Sequence, residues 1–397
     1  MDFTFTDDEL AFREAISRFL MTEAAPETLR DVWETDTGRS PELRRRIAEQ
    51  GLTALSVPEH CGGLGLNDVA WSLMTQELGY YAIPDSMADT ACVGAGLLSA
   101  LPASGRRDAW LAAIADGNLR VAVAHGINPL VADAHLADVL LVCHQNESGE
   151  AEIHALERAQ IDVRQASSID SSRRLYHISW QPSSTSLLLN GELAEGLIAD
   201  TLNRGALAVS GQLLGLAQRM LDLSVDYVAQ RKQFGKPIGS FQAVKHHLAD
   251  VASAIEFARP VLYRAAYALA NQQLPASTGS SSGTTTATTT QTLIDLYVSQ
   301  ARLACASAAS LAARHSIQVH GAMGYTWEVD LQMFMKRSWA LTSSWGDGNF
   351  HQARVSDMLF NQLASQDLIG PPFTFGDQST FGDQSATVSH SAIGAQS

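Results

Sequence analysis

One short segment carries a fixed cation, an aromatic ring and two amides: Arg231, Phe234, Gln233 and Gln242. A guanidinium carries a permanent charge and a planar fork of donors that suits two adjacent phosphates. A phenyl ring can cover a flat heterocycle such as adenine or isoalloxazine. The segment therefore indicates a cofactor site, although an Arg-Lys pair at a helix end is equally typical of an ordinary solvated terminus.

A second candidate segment runs from Gln318 to Glu328 and reads Gln-Val-His-Gly-Ala-Met-Gly-Tyr-Thr-Trp-Glu. It follows an alanine-rich helical pattern, and Gly321 lets a ligand approach the backbone closely. Taken alone, such glycines are also typical of a simple helix C-cap.

The stretch from Tyr227 to Asp250 resembles the signature loop of the acyl-CoA dehydrogenase family, and the second segment resembles its Q-x-x-G-G-x-G-Y-T-x-E motif. The resemblance implies FAD as the cofactor, with Arg231 on the pyrophosphate. It implies that Gln233, Phe234 and Gln242 line the dinucleotide. Gln318, Gly321 and Ala322 would lie at the adenosine half, with Ala322 in place of the motif's second glycine. Because this flavin belongs mainly to a neighbouring subunit in the family, the resemblance also implies a site shared between chains.

The family desaturates an acyl-CoA thioester between its α and β carbons, which requires a desolvated carboxylate base within reach of the α-proton. Relatives take a glutamate from a Y-E-G-T-like segment or from an E-R pair early in a long helix. Here these positions read Trp345-Gly346-Asp347-Gly348 and Asn203-Arg204. We therefore expect no catalytic residue in this chain. Asp347 remains the alternative base, and Arg204 matches the arginine on the substrate side.

The flavin-ring half of the site also departs from the family pattern. Relatives carry a T-E-P-x-x-G-S-D type loop against the isoalloxazine, whereas this chain has Val123-Ala-His-Gly-Ile-Asn-Pro129. A chain that keeps the parts donated across an interface but lacks ring loop and base resembles the non-catalytic subunit of α2β2 acyl-CoA dehydrogenases, such as those of steroid side-chain degradation. The implied partners are a catalytic acyl-CoA dehydrogenase subunit, an acyl-CoA substrate, and an electron-transfer flavoprotein or similar acceptor.

Two alternatives stay open at the level of sequence. A homo-oligomeric dehydrogenase would use Asp347 and bind flavin without a partner. A non-enzymatic acyl-CoA-binding or scaffolding relative would bind no flavin even in the presence of a partner subunit.

The hydrophobic patterns predict a mainly α fold with a small central β domain. A capping box at Thr6 and Glu9 begins the first helix, short β-prone runs occupy the middle, and long apolar helical patterns follow Ala199. The predicted parts are an N-terminal helical domain (1–118), a reduced β domain (119–195) and a C-terminal helical bundle (196–365). We expect a flexible Ser/Thr loop at 276–291 and a disordered tail at 366–397.

Composition narrows the class of protein. The chain has 397 residues, 46% hydrophobic and 17% charged, and a net charge of −15, which disfavours nucleic acid and anionic membrane surfaces. The four cysteines are scattered and the start of the chain lacks a signal pattern, which favours the cytoplasm. We expect no metal site, because the adjacent pair His246-His247 points to different faces of a helix.

Overall fold

The computed structural model describes residues 5–271 and 283–363. Its N-terminal part is helical, as predicted. The first helix begins at the expected capping box, where the Thr6 hydroxyl accepts from the Glu9 backbone N–H at 3.2 Å and Glu9 accepts from the Thr6 N–H at 2.9 Å. The helices of this part are α1 (Asp7–Glu23), α2 (Pro26–Glu34), α3 (Pro41–Glu49), α4 (Asp68–Tyr80), α5 (Ala95–Ala100) and α6 (Gly105–Ala115), with a π-helical turn at Asp89–Gly94.

The central part consists of two small sheets. The first has the order β1-β3-β4-β7, in which β1 and β3 are parallel and the other pairs are antiparallel; the second has the order β2-β6-β5. The strands are β1 (Val121–His125), β2 (Val131–Ala132), β3 (Val139–Gln145), β4 (Ala151–Glu157), β5 (Asp162–Ala166), β6 (Leu175–Ser179) and β7 (Leu187–Asn190). The β-prone runs predicted five of these strands. The patterns missed β2, which is very short, and β5, which lacks an apolar alternation.

The C-terminal part is a bundle of long helices. Its elements are α7 (Gly191–Gln230), the hairpin β8 (Lys232–Gln233) and β9 (Lys236–Pro237), α8 (Gln242–Ala270), α9 (Gly283–His320), α10 (Leu331–Leu341) and α11 (Gly348–Asp357). Glycines let α7 approach α4 closely, because a Cβ at Gly211 would overlap Thr75 and one at Gly215 would overlap the carbonyl of Gln76. One large apolar core joins this bundle to the N-terminal helices.

Two features differ from the sequence-based expectation. Helix α7 begins at Gly191, inside the range predicted for the β domain, so Asn203 and Arg204 lie well within the helix. Part of the predicted Ser/Thr loop is helical, since α9 begins at Gly283; residues 272–282 and the predicted tail lie outside the described residues. Extending a helix that is already packed fixes one residue for each added hydrogen bond, so weak propensity in the threonine run does not prevent it.

Among residues 5–271 and 283–363, no helix combines the length and apolar character needed to cross a membrane.

Candidate functional site

Arg231 lies at the end of α7, where the chain turns into the β8–β9 hairpin. Its backbone N–H donates to the Tyr227 carbonyl and its own carbonyl accepts from the Ile238 N–H, each at 2.8 Å. The side chain is exposed, and within the described residues its guanidinium makes no hydrogen bond or ion pair. The hairpin therefore fixes the backbone of Arg231 and leaves its donors available to a ligand.

Phe234 occupies the tip of the hairpin with a positive φ of 52° and 90% of its surface exposed. A large apolar side chain in the left-handed region is unusual and points to a functional constraint. Its ring meets Phe241 edge to face at 6.1 Å, and Lys236 lies over Phe241 at 4.5 Å. Gln233 is exposed beside it.

The N-terminus of α8 opens beside this hairpin. Gln242 is the exposed first residue of a 29-residue helix, and Phe241 provides no side-chain cap. Uncapped backbone N–H groups and the positive end of a helix dipole favour a phosphate or another anion.

The second motif lies at the end of α9 and is held against the end of α7. The Tyr227 ring stacks on His320 at 4.2 Å, and its hydroxyl donates to the His320 carbonyl at 3.4 Å. Directly after His320, Gly321 has a φ of 60° with open space around it; Gln318 and Ala322 are exposed beside it. The fold thus joins the two elements that carry the motifs, and every cofactor candidate faces outward.

Asn203, at one of the two positions for a base, is completely buried in a network between three helices. Its amide donates to Asp295 at 2.6 Å and accepts from Arg354 at 2.9 Å. Arg354 also pairs with Asp295 at 2.9 Å. A glutamate at 203 would bring a second carboxylate against Asp295, so this position is closed to a substrate-facing base.

Gly346, at the other base position, has a φ of 88°, and an added Cβ would lie 2.5 Å from Phe350 and 2.7 Å from His351. The segment around it is fixed by Arg302, which is 1% exposed and donates to the carbonyls of Leu341, Thr342, Ser344 and Gly346 at 2.8 to 3.3 Å. Burial lowers the pKa of Arg302 to about 10, so the charge is retained at neutral pH. Only glycine fits here without a backbone shift.

Asp347 is exposed and caps α11, where its carboxylate accepts from the Phe350 N–H at 2.8 Å. A solvated carboxylate engaged as a helix cap lacks the desolvation that strengthens a catalytic base.

Arg204 is paired within the fold. Its Nε and Nη2 donate to the two oxygens of Asp68 at 3.0 and 3.4 Å, and the guanidinium also lies against Gly96. The predicted contact with substrate would have to compete with this pair.

Trp345 fills the junction between the α7 helix and the loop Val123–Pro129 that replaces the family's ring-binding loop. The indole lies against Gly205, where any Cβ would overlap it. The backbone N–H of Trp345 donates to the Asn128 side-chain oxygen at 2.7 Å, and the Trp345 carbonyl accepts from His351 Nε2 at 2.9 Å. Burial lowers the pKa of His351 to about 4, so the imidazole is neutral and donates through Nε2.

Beside Trp345 a cavity of about 100 Å³ remains, lined by Asp89, Arg173, Asn128 and other residues of the junction. This is room for several water molecules. Burial raises the pKa of Asp89 to about 6, against the opposing effect of the Arg173 guanidinium. Arg173 itself donates to the Ala340 carbonyl at 2.9 Å.

Sequence patterns did not identify Asp89, Arg173 and Arg302, and they gave no particular role to Asn128 within its segment. These residues meet through contacts between distant segments, so no local pattern could identify them. Trp345 has a positive φ, and nothing in the amino-acid sequence predicts that backbone conformation for a tryptophan.

Among the residues that the structure describes, one side-chain group has the composition of a metal site: atoms of His60, Cys61 and Asp108 lie within 4.8 Å of one another. Arg107 already donates twice to one oxygen of Asp108, at 2.7 and 2.9 Å. Burial and the Asp108 charge raise the pKa of the Cys61 thiol, which favours the neutral form. We assign no metal to this group.

The chain matches the family models of the acyl-CoA dehydrogenase C-terminal domain over residues 196–359 and N-terminal domain over residues 6–118. It is 30% identical to acyl-CoA dehydrogenase IpdE2 of Mycobacterium tuberculosis over 340 residues, which cover 84% of this chain and 91% of that protein.

Solved structures show the same fold. The ChsE4-ChsE5 complex of Mycobacterium tuberculosis matches with a TM-score of 0.78 at 20% identity, covering 90% of this chain and 99% of that one. The Tcur3481-Tcur3483 steroid ACAD matches with a TM-score of 0.76 at 19% identity, covering 89% and 98%. The chain therefore belongs to the acyl-CoA dehydrogenase family, whose members are oxidoreductases that act on acyl-CoA with FAD as cofactor.

Proposed function

We propose that this chain is the non-catalytic subunit of a heteromeric acyl-CoA dehydrogenase. It would hold the adenosine and pyrophosphate half of FAD at a subunit interface, while a catalytic partner supplies the ring site and the glutamate. The proposal rests on the two positions where relatives carry a base. Asn203 uses both of its amide atoms in hydrogen bonds within the fold, and Gly346 has a positive φ with no room for a Cβ.

The packing around Trp345 supports the same division of labour. Trp345 and the pair Asp89 and Arg173 leave a cavity of about 100 Å³ between the loop and the Gly346 segment, and a separate cleft of about 650 Å³ lies between the loop at Ile127 and the side chains of Leu202 and Phe350. The cofactor candidates, in contrast, are exposed on the outside of the bundle. A subunit with both base positions occupied by other contacts and an exposed half-site is suited to complete a site in another chain.

The exposed half-site fits the dinucleotide part of FAD. Arg231 would pair with the pyrophosphate, and the open N-terminus of α8 at Gln242 would add backbone donors to it. Gln318 and the uncrowded backbone at Gly321 would lie toward the adenosine. When bound, FAD accepts the β-hydrogen of the acyl chain as hydride; the residues of this chain orient the cofactor and move no proton.

The partners follow from this role. The complex would contain a catalytic acyl-CoA dehydrogenase subunit in an α2β2 arrangement, act on an acyl-CoA, and deliver electrons to an electron-transfer flavoprotein or similar acceptor. Two related structures are described as a two-protein complex and as a steroid ACAD, which supports a heteromer that acts on a steroid-derived acyl-CoA.

Coexpression tests the proposal. The chain is purified alone and together with the catalytic partner recovered by copurification from the native source, and flavin content and acyl-CoA oxidation are measured. We expect negligible flavin and activity for the chain alone and both for the complex. Removal of the partner's glutamate should abolish turnover, since general-base catalysis contributes roughly a hundredfold to ten-thousandfold.

The outcomes separate the alternatives. Stoichiometric flavin and activity in the chain alone, lost on Asp347→Asn, would establish a homo-oligomeric dehydrogenase. A complex without flavin would establish a non-enzymatic acyl-CoA-binding or scaffolding role.

A further inference from the structure

A second cleft, of about 410 Å³, lies where α3, the connection from α6 to β1 and the segment after β2 meet. It sits at the start of β1, beside Arg120, whereas the cavity beside Trp345 is lined by Val123 farther along that strand, and the two cavities share no lining residue. The cleft is thus separate from the junction described above. Its lining includes four arginines, although the whole chain has only 27 Lys and Arg residues against 42 acids: Arg39, Arg44, Arg45 and Arg120.

Two of these arginines are fully engaged by their own partners. Arg39 is 3% exposed and donates to both oxygens of Asp133, at 2.6 and 2.8 Å, and to two backbone carbonyls. Arg45 is exposed and pairs with Glu42 and Glu49 along its own helix. Both are therefore already paired with acids of their own.

Arg44 and Arg120 share a single carboxylate. Arg44 donates to one oxygen of Asp85 at 2.6 Å, and Arg120 lies 3.2 Å from the other. Two guanidinium groups against one carboxylate leave an excess of one positive charge. Both side chains are largely withdrawn from solvent, at 5% and 16% exposure, so this charge is weakly screened.

The same two arginines carry donors without acceptors. Within the described residues, Nε of Arg44 and Nη1 of Arg120 are buried and make no hydrogen bond. An unsatisfied buried donor on a cation is costly, and each such group calls for a missing partner. An oxyanion bound between Arg44 and Arg120 would accept hydrogen bonds from both guanidinium groups and balance their excess positive charge.

The acids around the cleft limit the charge of its ligand. Asp138 accepts from the Arg120 backbone N–H at 2.7 Å, and Asp116 is exposed at the end of α6. Both would repel a ligand with many negative charges. We propose that this cleft binds one oxyanion group, a carboxylate or a phosphate, between Arg44 and Arg120.

Binding of inorganic phosphate to the full chain tests the site, measured by the line width of its phosphorus resonance at constant ionic strength with chloride as the balancing ion. We expect saturable broadening. Arg120→Gln should weaken binding about tenfold or more, because it removes a charge-assisted donor pair. Asp116→Asn should strengthen it roughly two- to fivefold, because it removes repulsion from a residue that supports no fold contact.

If Arg120→Gln unfolds the chain, Asp116→Asn still tests the site. This substitution removes a negative charge from a helix C-terminus, where negative charge is unfavourable, so we expect the fold to be kept. Displacement of phosphate by acetate would assign a carboxylate as the ligand group. Tighter binding of adenosine monophosphate than of inorganic phosphate would assign a phosphate monoester. Broadening that never saturates, or affinity unchanged by Asp116→Asn, would overturn the proposal.

Discussion

At the level of single residues, Asn203 and Gly346, the two positions where the family resemblance places a base, are occupied in different ways. Asn203 keeps a polar side chain and commits both of its amide atoms to neighbouring helices. Gly346 has lost its side chain entirely, and the backbone there has taken a conformation that others cannot adopt easily. Restoring a glutamate at either position would therefore require rearrangement of the surrounding helices as well as a substitution.

We expect Gly346→Ala to lower the free energy of unfolding by about 1–3 kcal/mol, because it adds a Cβ at a positive φ and against Phe350 and His351. The matched control is Gly348→Ala, where nothing lies within 4 Å of the added atom. Urea unfolding of both variants measures the difference. Equal stability of the two variants would contradict the constraint inferred at Gly346.

Asp89 gives a pH-dependent prediction. Its pKa in the folded chain, about 6, is above the ordinary aspartate value of 3.8, so folding favours the protonated form. The stability associated with this group is present at low pH and is lost as pH rises through the interval between these values. Asp89→Asn should therefore gain stability relative to the wild type as pH rises from 4.5 to 7.5. A stability difference that is constant between these pH values would argue against a desolvated Asp89.

At the level of elements, hydrophobic periodicity predicted the long helices and five of the seven strands of the β region, because each long element has one face in the core. It did not identify the shorter helices α2, α5, α6, α10 and α11 individually. The patterns placed the motifs correctly on helix ends, as at Arg231 and Gly321. They did not predict the buried contacts that hold the Trp345 segment, because Arg302 and Asn128 reach it from elements far away in sequence. The cofactor roles of the motif residues remain predictions.

The end of α7 carries the sharpest test of those roles. Arg231→Ala should weaken FAD binding by the assembled complex roughly tenfold to a hundredfold, because a charge-assisted pair contributes about 1.5–3 kcal/mol. Its control is Arg164→Ala, an exposed arginine on β5. Titration of the flavin-free complex with FAD measures both, with helix content followed by circular dichroism. An unchanged affinity of the Arg231→Ala complex for FAD would contradict the role of Arg231 at the pyrophosphate.

At the level of the whole molecule, buried ion pairs join the three parts of the chain. Arg39 reaches from the N-terminal helices to Asp133 in the β region, and Arg337 of α10 lies 3.4 Å from Asp170 in the β region and donates to the Ile83 carbonyl. These contacts hold the N-terminal helices, the β region and α10 together around the junction where Trp345 packs. In the proposed function, the cofactor therefore binds at the outer surface of the bundle.

This arrangement predicts where FAD stabilises the protein. Saturating FAD, at about a hundred times its Kd, should stabilise the complex by about 2.7 kcal/mol and raise its Tm. The isolated chain presents only half of the proposed site and should show no shift. Scanning calorimetry with and without FAD measures both, and a clear shift in the isolated chain would mean that its own half-site is sufficient.

The packing of Trp345 on Gly205 has an evolutionary consequence. The indole occupies the space that any side chain at 205 would need, so the two positions are free to change only together. Among homologous chains we expect glycine at 205 to accompany a large aromatic residue at 345, and alanine or a larger residue at 205 to accompany a smaller one. Such covariation would distinguish lineages with a closed interior from those that still bind a flavin ring there.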